Sequence, residues 1–135
     1  MSIAQSIRPV PVLLEKEVSL AASSGTATGI SVPAGAFVLA AGFQNYTVVP
    51  NVTTYTLDVT DGTTVFANDL DFDAAAAYTI KAGSTAGLVA AADTIDVVTT
   101  ISGSPGVIAG RVWALVVDVN QGTRTAASVD REQLA

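Results

Sequence analysis

Between Val18 and Leu57 the chain runs for forty residues without one Asp, Glu, Lys or Arg. Thr, Ser, Gly, Asn and Gln are scattered through the stretch, so it is neutral rather than continuously apolar. The three-to-four-residue apolar period of a surface helix is almost absent. What recurs instead are short runs of Val, Thr and Ala separated by Gly and Pro, a composition that suits pleated strands and the turns between them. Exposed sheet edges in natural proteins are usually protected by charge or proline, so a charge-free stretch of this length implies edges covered by other polypeptide.

The clearest strand is Thr53 to Thr60, where Tyr55, Leu57 and Val59 alternate with Thr54, Thr56, Asp58 and Thr60, placing apolar groups on one face. Asp61-Gly62 follows as a hairpin signal, and Thr63 to Ala67 reads as the returning strand. The same logic predicts strands at Lys16 to Ala22, Ala27 to Val32, Ala36 to Phe43, Tyr46 to Pro50, Tyr78 to Lys81 and Thr94 to Ile101, with Pro33 and Pro50 at strand ends. The last strand, Val107 to Val119, is apolar on both sides: Trp113, Leu115, Val117 and Val119 on one, Val112, Ala114 and Val116 on the other. Two apolar faces predict a central strand or a subunit contact, with Gly110 as a bulge or bend. About eight to ten short strands at roughly 8 to 12-residue spacing predict an all-β, single-domain, jelly-roll-like β-sandwich. Within it, Asp73 to Tyr78 reads as one helical turn. Residues 1–14 read as an extended arm, 15–120 as the sandwich and 121–135 as a tail with a short helix from Ser128 to Leu134.

The chain has 135 residues with no cysteine and no histidine. That excludes Cys- or His-dependent nucleophilic catalysis, thiolate or imidazole zinc sites, and disulfides. Six Lys and Arg against twelve Asp and Glu give a net charge of −6, which argues against binding a phosphate backbone. The opening residues do not form a secretory h-region, because Val10 to Leu14 is short and runs into Glu15-Lys16-Glu17. The run Ile30 to Phe43 is broken by Pro33, Gly35 and Gly42 and falls short of the roughly 18 residues of a membrane span. A soluble protein that binds neither nucleic acid nor membrane is expected.

The sharpest chemical cluster is Asn68-Asp69-Leu70-Asp71-Phe72-Asp73. Alternation would place Asp69, Asp71 and Asp73 on one side of an extended segment, an arrangement of oxygen ligands that could take Ca²⁺. The EF-hand likeness fails where Ala74 replaces the required Gly and Ile80 the required Glu. The plainer reading is a solvated acidic face with Leu70 and Phe72 packed inward. Paired carboxylates could also serve glycoside hydrolysis, but with one Trp and three Tyr the chain is poor in groove residues. No enzyme activity and no cofactor are expected. In the amino-terminal arm Ile3, Ile7, Val10 and Val12 are spaced among polar residues and prolines, and extended chain of that length could reach a neighbouring subunit. These four, with Trp113, are the candidate subunit or partner contacts.

The run Val32-Pro33-Ala34-Gly35-Ala36-Phe37-Val38, then Tyr55-Thr56-Leu57-Asp58-Val59-Thr60-Asp61-Gly62, Ala75-Ala76-Ala77-Tyr78, Asp93-Thr94-Ile95-Asp96-Val97 and Arg111-Val112-Trp113-Ala114-Leu115-Val116-Val117-Asp118-Val119 resembles the capsid decoration, or cement, proteins encoded among tailed-phage head genes. The resemblance implies a structural virion protein, made in the bacterial cytoplasm. It implies binding to the outer surface of the head and bridging of adjacent major capsid protein subunits as a homo-oligomer, a trimer by analogy. A carbohydrate-binding or adhesin-like module and a neck or tail component are the competing classes, since sandwiches host many functions.

Overall fold

The computed structural model describes residues 10–118. Nine strands follow in order: β1 (Val12–Leu20), β2 (Gly25–Val32), β3 (Ala36–Asn45), β4 (Thr54–Thr60), β5 (Val65–Asp71), β6 (Ile80–Ala82), β7 (Gly87–Val89), β8 (Asp93–Ser102) and β9 (Ile108–Asp118). They form two antiparallel sheets packed as a β-sandwich. One sheet has the order β1-β9-β3-β6, with β7 also pairing β3; the other runs β2-β8-β4-β5. Apart from β4–β5 and β6–β7, successive strands cross between sheets, so most pairings join residues far apart in sequence, such as Leu13 with Leu115.

The core lies between the sheets. From one side come Val38, Ala41, Phe43, Val112 and Ala114; from the other, Tyr55, Leu57, Val59, Ile95 and Val97, all at 1% exposure or less. Phe43 and Phe72 meet edge to face with ring centroids 5.6 Å apart, a geometry that sets the positive ring edge against the negative face. The alternation in β4 is as expected, and Leu70 and Phe72 are both buried.

The Asp61-Gly62 turn joins β4 to β5, but pairing begins at Thr60 and Val65, so the loop holds four residues. Asp61 is 8% exposed, and its Oδ1 accepts hydrogen bonds from Thr63 N and Thr64 N. Those side-chain bonds fix a wider loop than the dipeptide suggests.

Several local expectations are corrected. The first strand begins at Val12, so Val12, Leu13 and Leu14 belong to the sandwich rather than to an arm. Tyr46 to Pro50 is not a strand: β3 ends at Asn45 and the chain bends away. Asp73 to Tyr78 is two turns rather than a helical one, with Ala74 and Tyr78 in the left-handed region at φ 56° and 63°. Gly110 pairs regularly with Val18 and Asn45. Its missing Cβ admits the Phe43 ring instead, since a Cβ there would lie 2.4 Å from that ring. The irregularity in this sheet falls on β3, between Val38 and Ala40.

The charge-free stretch also gains a local explanation. Most of β3 is interior to its sheet, and the uncharged edge strand β2 carries a register shift between Ala27 and Ile30, where Gly29 N donates to Asp96 Oδ1 at 3.1 Å. A bulge disrupts an edge as effectively as a charge does.

Candidate functional site

The two sheets of the sandwich differ in charge. The four-stranded sheet carries Asp58, Asp69, Asp71, Asp93 and Asp96 and no Lys or Arg, with threonines between them. The five-stranded sheet carries all three Lys and Arg of the described residues, Lys16, Lys81 and Arg111, alongside Glu15 and Glu17; Lys16 and Lys81 pair with the core residues Val112 and Phe43, so among the described residues Arg111 is the cation of its outer face. One sheet is acidic and the other balanced.

The acidic run does not converge as alternation alone predicts. Asn68 and Asp69 sit in a bulge opposite Asp58, between the pairs Leu57 with Leu70 and Val59 with Ala67, and Asp69 takes φ 52°. Asp69 N donates to Asp58 Oδ1 at 2.7 Å, Asp73 N to Asp71 Oδ1 at 3.0 Å and Val52 N to Asp73 Oδ1 at 2.7 Å. These carboxylates thus hold backbone donors of bulges and turns. Among the described residues no group of three or more acidic side chains is placed to hold a metal ion.

On the outer face of the five-stranded sheet the register aligns rows across the strands. Glu15, Trp113, Gly42 and Ala82 form one; Glu17, Arg111, Gln44 and Ile80 the next. Leu13 and Leu115 lie on one side of these, and Val117, Phe37 and Leu88 farther along. The strand pattern puts Val112, Ala114 and Val116 in the core and Arg111, Trp113, Leu115 and Val117 outside, partly buried. Exposure is 57% for Leu13, 56% for Ile80 and 48% for Leu88, high values for apolar side chains on one face. Arg111 donates to Glu15 Oε2 and, through Nε, to Gln44 Oε1 at 2.8 Å, so the central cation of the face is neutralised in place. A shallow groove of about 240 Å³ lies between Leu13, Glu15, Ile80, Arg111 and Trp113. The Trp113 Nε1–H beneath it is buried and has no acceptor among the described residues.

Of the candidate contacts, Trp113 stands at the middle of this face. Val12 pairs with Val116 on the opposite, core side of the sheet, at a corner where it is 52% exposed; Val10, just before β1, is 66% exposed. Ile3 and Ile7 lie outside the described residues. Sequence reasoning missed Leu13, Ile80 and Leu88. Their signal was available only once β1, β6 and β7 were known to flank β9 and β3.

At one end of the sandwich Asn45 anchors three segments. It is fully buried; its Nδ2 donates to Thr47 O and Ala76 O at 2.8 and 2.9 Å, and its Oδ1 accepts from Thr79 N at 2.9 Å. The loops it gathers bring Tyr46 against Tyr78, with ring centroids 6.0 Å apart and Tyr78 67% exposed.

No family profile and no curated protein matches this chain. Among solved structures, it is similar to a chain in the acidic stable capsid structure of Helicobacter pylori bacteriophage KHP30, at 13% identity and a TM-score of 0.56. The match covers 82% of this chain and 93% of the phage chain. At that identity the likeness is one of fold, and it extends over nearly the whole of the other protein.

Proposed function

We propose that this chain is a structural protein of a tailed-phage virion: a decoration protein that binds the outer surface of the head and bridges adjacent major capsid subunits. The observation that carries the reading is the division of charge between the two sheets. A subunit laid on a protein shell needs one side that can be desolvated at little electrostatic cost and another that stays hydrated. The sequence resemblance to cement proteins and the fold shared with a chain of a phage capsid structure support it. The work is mechanical and involves no catalytic step. Many copies, each burying a modest area, resist the pressure of packaged DNA through their number.

The test is direct location of the protein on purified particles by electron microscopy with a count of copies per head. Density over the shell in capsid-like copy number, grouped in threes if the trimer holds, is the expected result. Density confined to the neck or tail would replace this reading with the neck or tail component. The exposed ring of Tyr78, tilted at 45° against half-buried Tyr46, favours carbohydrate binding as a second reading, since an exposed aromatic face can receive a sugar ring. Binding in a glycan screen that Tyr78→Ala abolishes would support it.

A further inference from the structure

We propose that the outer face of the five-stranded sheet is the surface that seats on the capsid shell, with Trp113 at its centre and the Asp-bearing sheet turned to solvent. This assignment rests on the capsid-binding reading above and adds to it the orientation of the subunit. The occupant it names is an uncharged, apolar surface of the shell protein.

Three observations select that face and that partner. The first is charge. Glu15 and Arg111 satisfy each other, so of the charges in the aligned rows only Glu17 would be covered without an ion-pair partner, whereas covering the other sheet would desolvate Asp58, Asp71 and Asp96, none of which has a cationic partner among the described residues. The second is area. Four strand positions roughly 4.8 Å apart, and about 3.4 Å per residue along β9, make a face of about 700 Å², close to the roughly 800 Å² per partner of a standard stable interface. The third is where the remaining chain joins. Val12 opens β1 opposite Val116, and Asp118 closes β9 opposite Ala36, so residues 1–9 and 119–135 both attach at one end of this sheet. Those segments hold Arg8, Arg124 and Arg131, half of all the Lys and Arg in the protein. Nine residues can span about 30 Å, enough to reach shell beyond the sandwich's own footprint. A second copy is a poorer occupant, because each copy carries −6 and face-to-face pairing would bring both charges together.

Heads of the encoding phage that lack this protein are mixed with purified full-length protein, sedimented, and bound copies counted. Wild type is expected to bind. Ile80→Glu and Leu88→Glu, each at an exposed position, are expected to weaken half-saturation at least tenfold, while Thr100→Lys on the opposite outer face leaves it unchanged. Circular dichroism and light scattering establish that each variant keeps its fold and oligomeric state. As a readout that introduces no charge, a photo-crosslinking side chain at Leu13 is expected to join the shell protein, and one at Thr100 is not. Wild type that ignores heads overturns the capsid reading and this assignment with it. Wild type that binds, with Ile80→Glu and Leu88→Glu binding equally well, overturns the assignment alone. Crosslinks at Leu13 only to another copy, with self-association lost in the Glu variants, overturn it in favour of a subunit contact.

Discussion

The indole of Trp113 lies directly over Gly42, its partner across the β3–β9 pairing. A Cβ built on Gly42 would come within 2.7 Å of Trp113 Cζ2 and 2.1 Å of Lys81 O. The largest side chain of the balanced face therefore occupies space left open because its neighbour has no side chain. Substituting Gly42→Ala must displace either the indole or β6, an overpacking that costs about 1–3 kcal/mol. Urea unfolding followed by the emission of this single tryptophan measures it. An unchanged midpoint would mean that the ring does not rest there.

Trp113→Phe removes a buried N–H that lacks an acceptor among the described residues. Deleting an unsatisfied donor recovers its desolvation cost and offsets the lost ring area. Stability is expected within about 1 kcal/mol of wild type, read by circular dichroism during denaturation. A larger loss would show that the N–H has a partner.

Asn45→Ala leaves Thr47 O, Ala76 O and Thr79 N without their side-chain partner. Ala76 O keeps the bond from Thr79 Oγ1 at 2.7 Å, so Thr47 O and Thr79 N, both at part-buried contacts, are the groups left without one, at about 1 kcal/mol each. The variant is expected to lose about 1–3 kcal/mol, and hydrogen exchange at Tyr78 and Thr79 is expected to rise before that of β4 and β8. Uniform exchange across the molecule would contradict a local staple.

The Tyr55 hydroxyl is buried with no hydrogen-bond partner among the described residues, and burial pushes its pKa from 10.0 up to about 12. An unfolded tyrosine loses its proton near 10 while the folded one keeps it, so the folded state binds more protons between these values. The contribution is whole below pH 10 and is lost as pH climbs toward 12, with a slope of up to about 1.4 kcal/mol per pH unit. Tyr55→Phe is expected to flatten that part of the stability profile and to be nearly neutral at pH 7. Parallel profiles for the two proteins between pH 10 and 12 would refute the assignment.

Removal of residues 1–9 leaves β1 intact, whereas removal of residues 1–14 takes three residues from it, including Leu14, which packs against the core. The shorter truncation is expected to keep the wild-type melting temperature and to lower head occupancy; the longer is expected to lower both. Full occupancy after the shorter truncation would remove the amino-terminal arm from the attachment mechanism.

The all-β class was legible in the sequence because it depends on local properties: β-branched residues, period-two alternation in β4, and Gly or Pro between short runs. The inward packing of Leu70 and Phe72 was legible for the same reason. The acidic alternation misled because one bulge opposite Asp58 breaks the period, and bulges arise from pairing between strands rather than within one. The role of Asn45 was not legible because it depends on Thr47, Ala76 and Thr79, the last two of which it meets only in the folded chain.

By itself, then, the sequence determined that this protein is a two-faced sheet structure without cysteine or histidine chemistry, and that β9 is apolar on both sides. Only the tertiary structure decided which side of β9 faces the core and which carries Trp113 outward beside Leu13, Ile80 and the paired Arg111 and Glu15. Alternation reports that a strand has two faces. Which one is buried depends on the opposing sheet, whose strands come from distant parts of the chain.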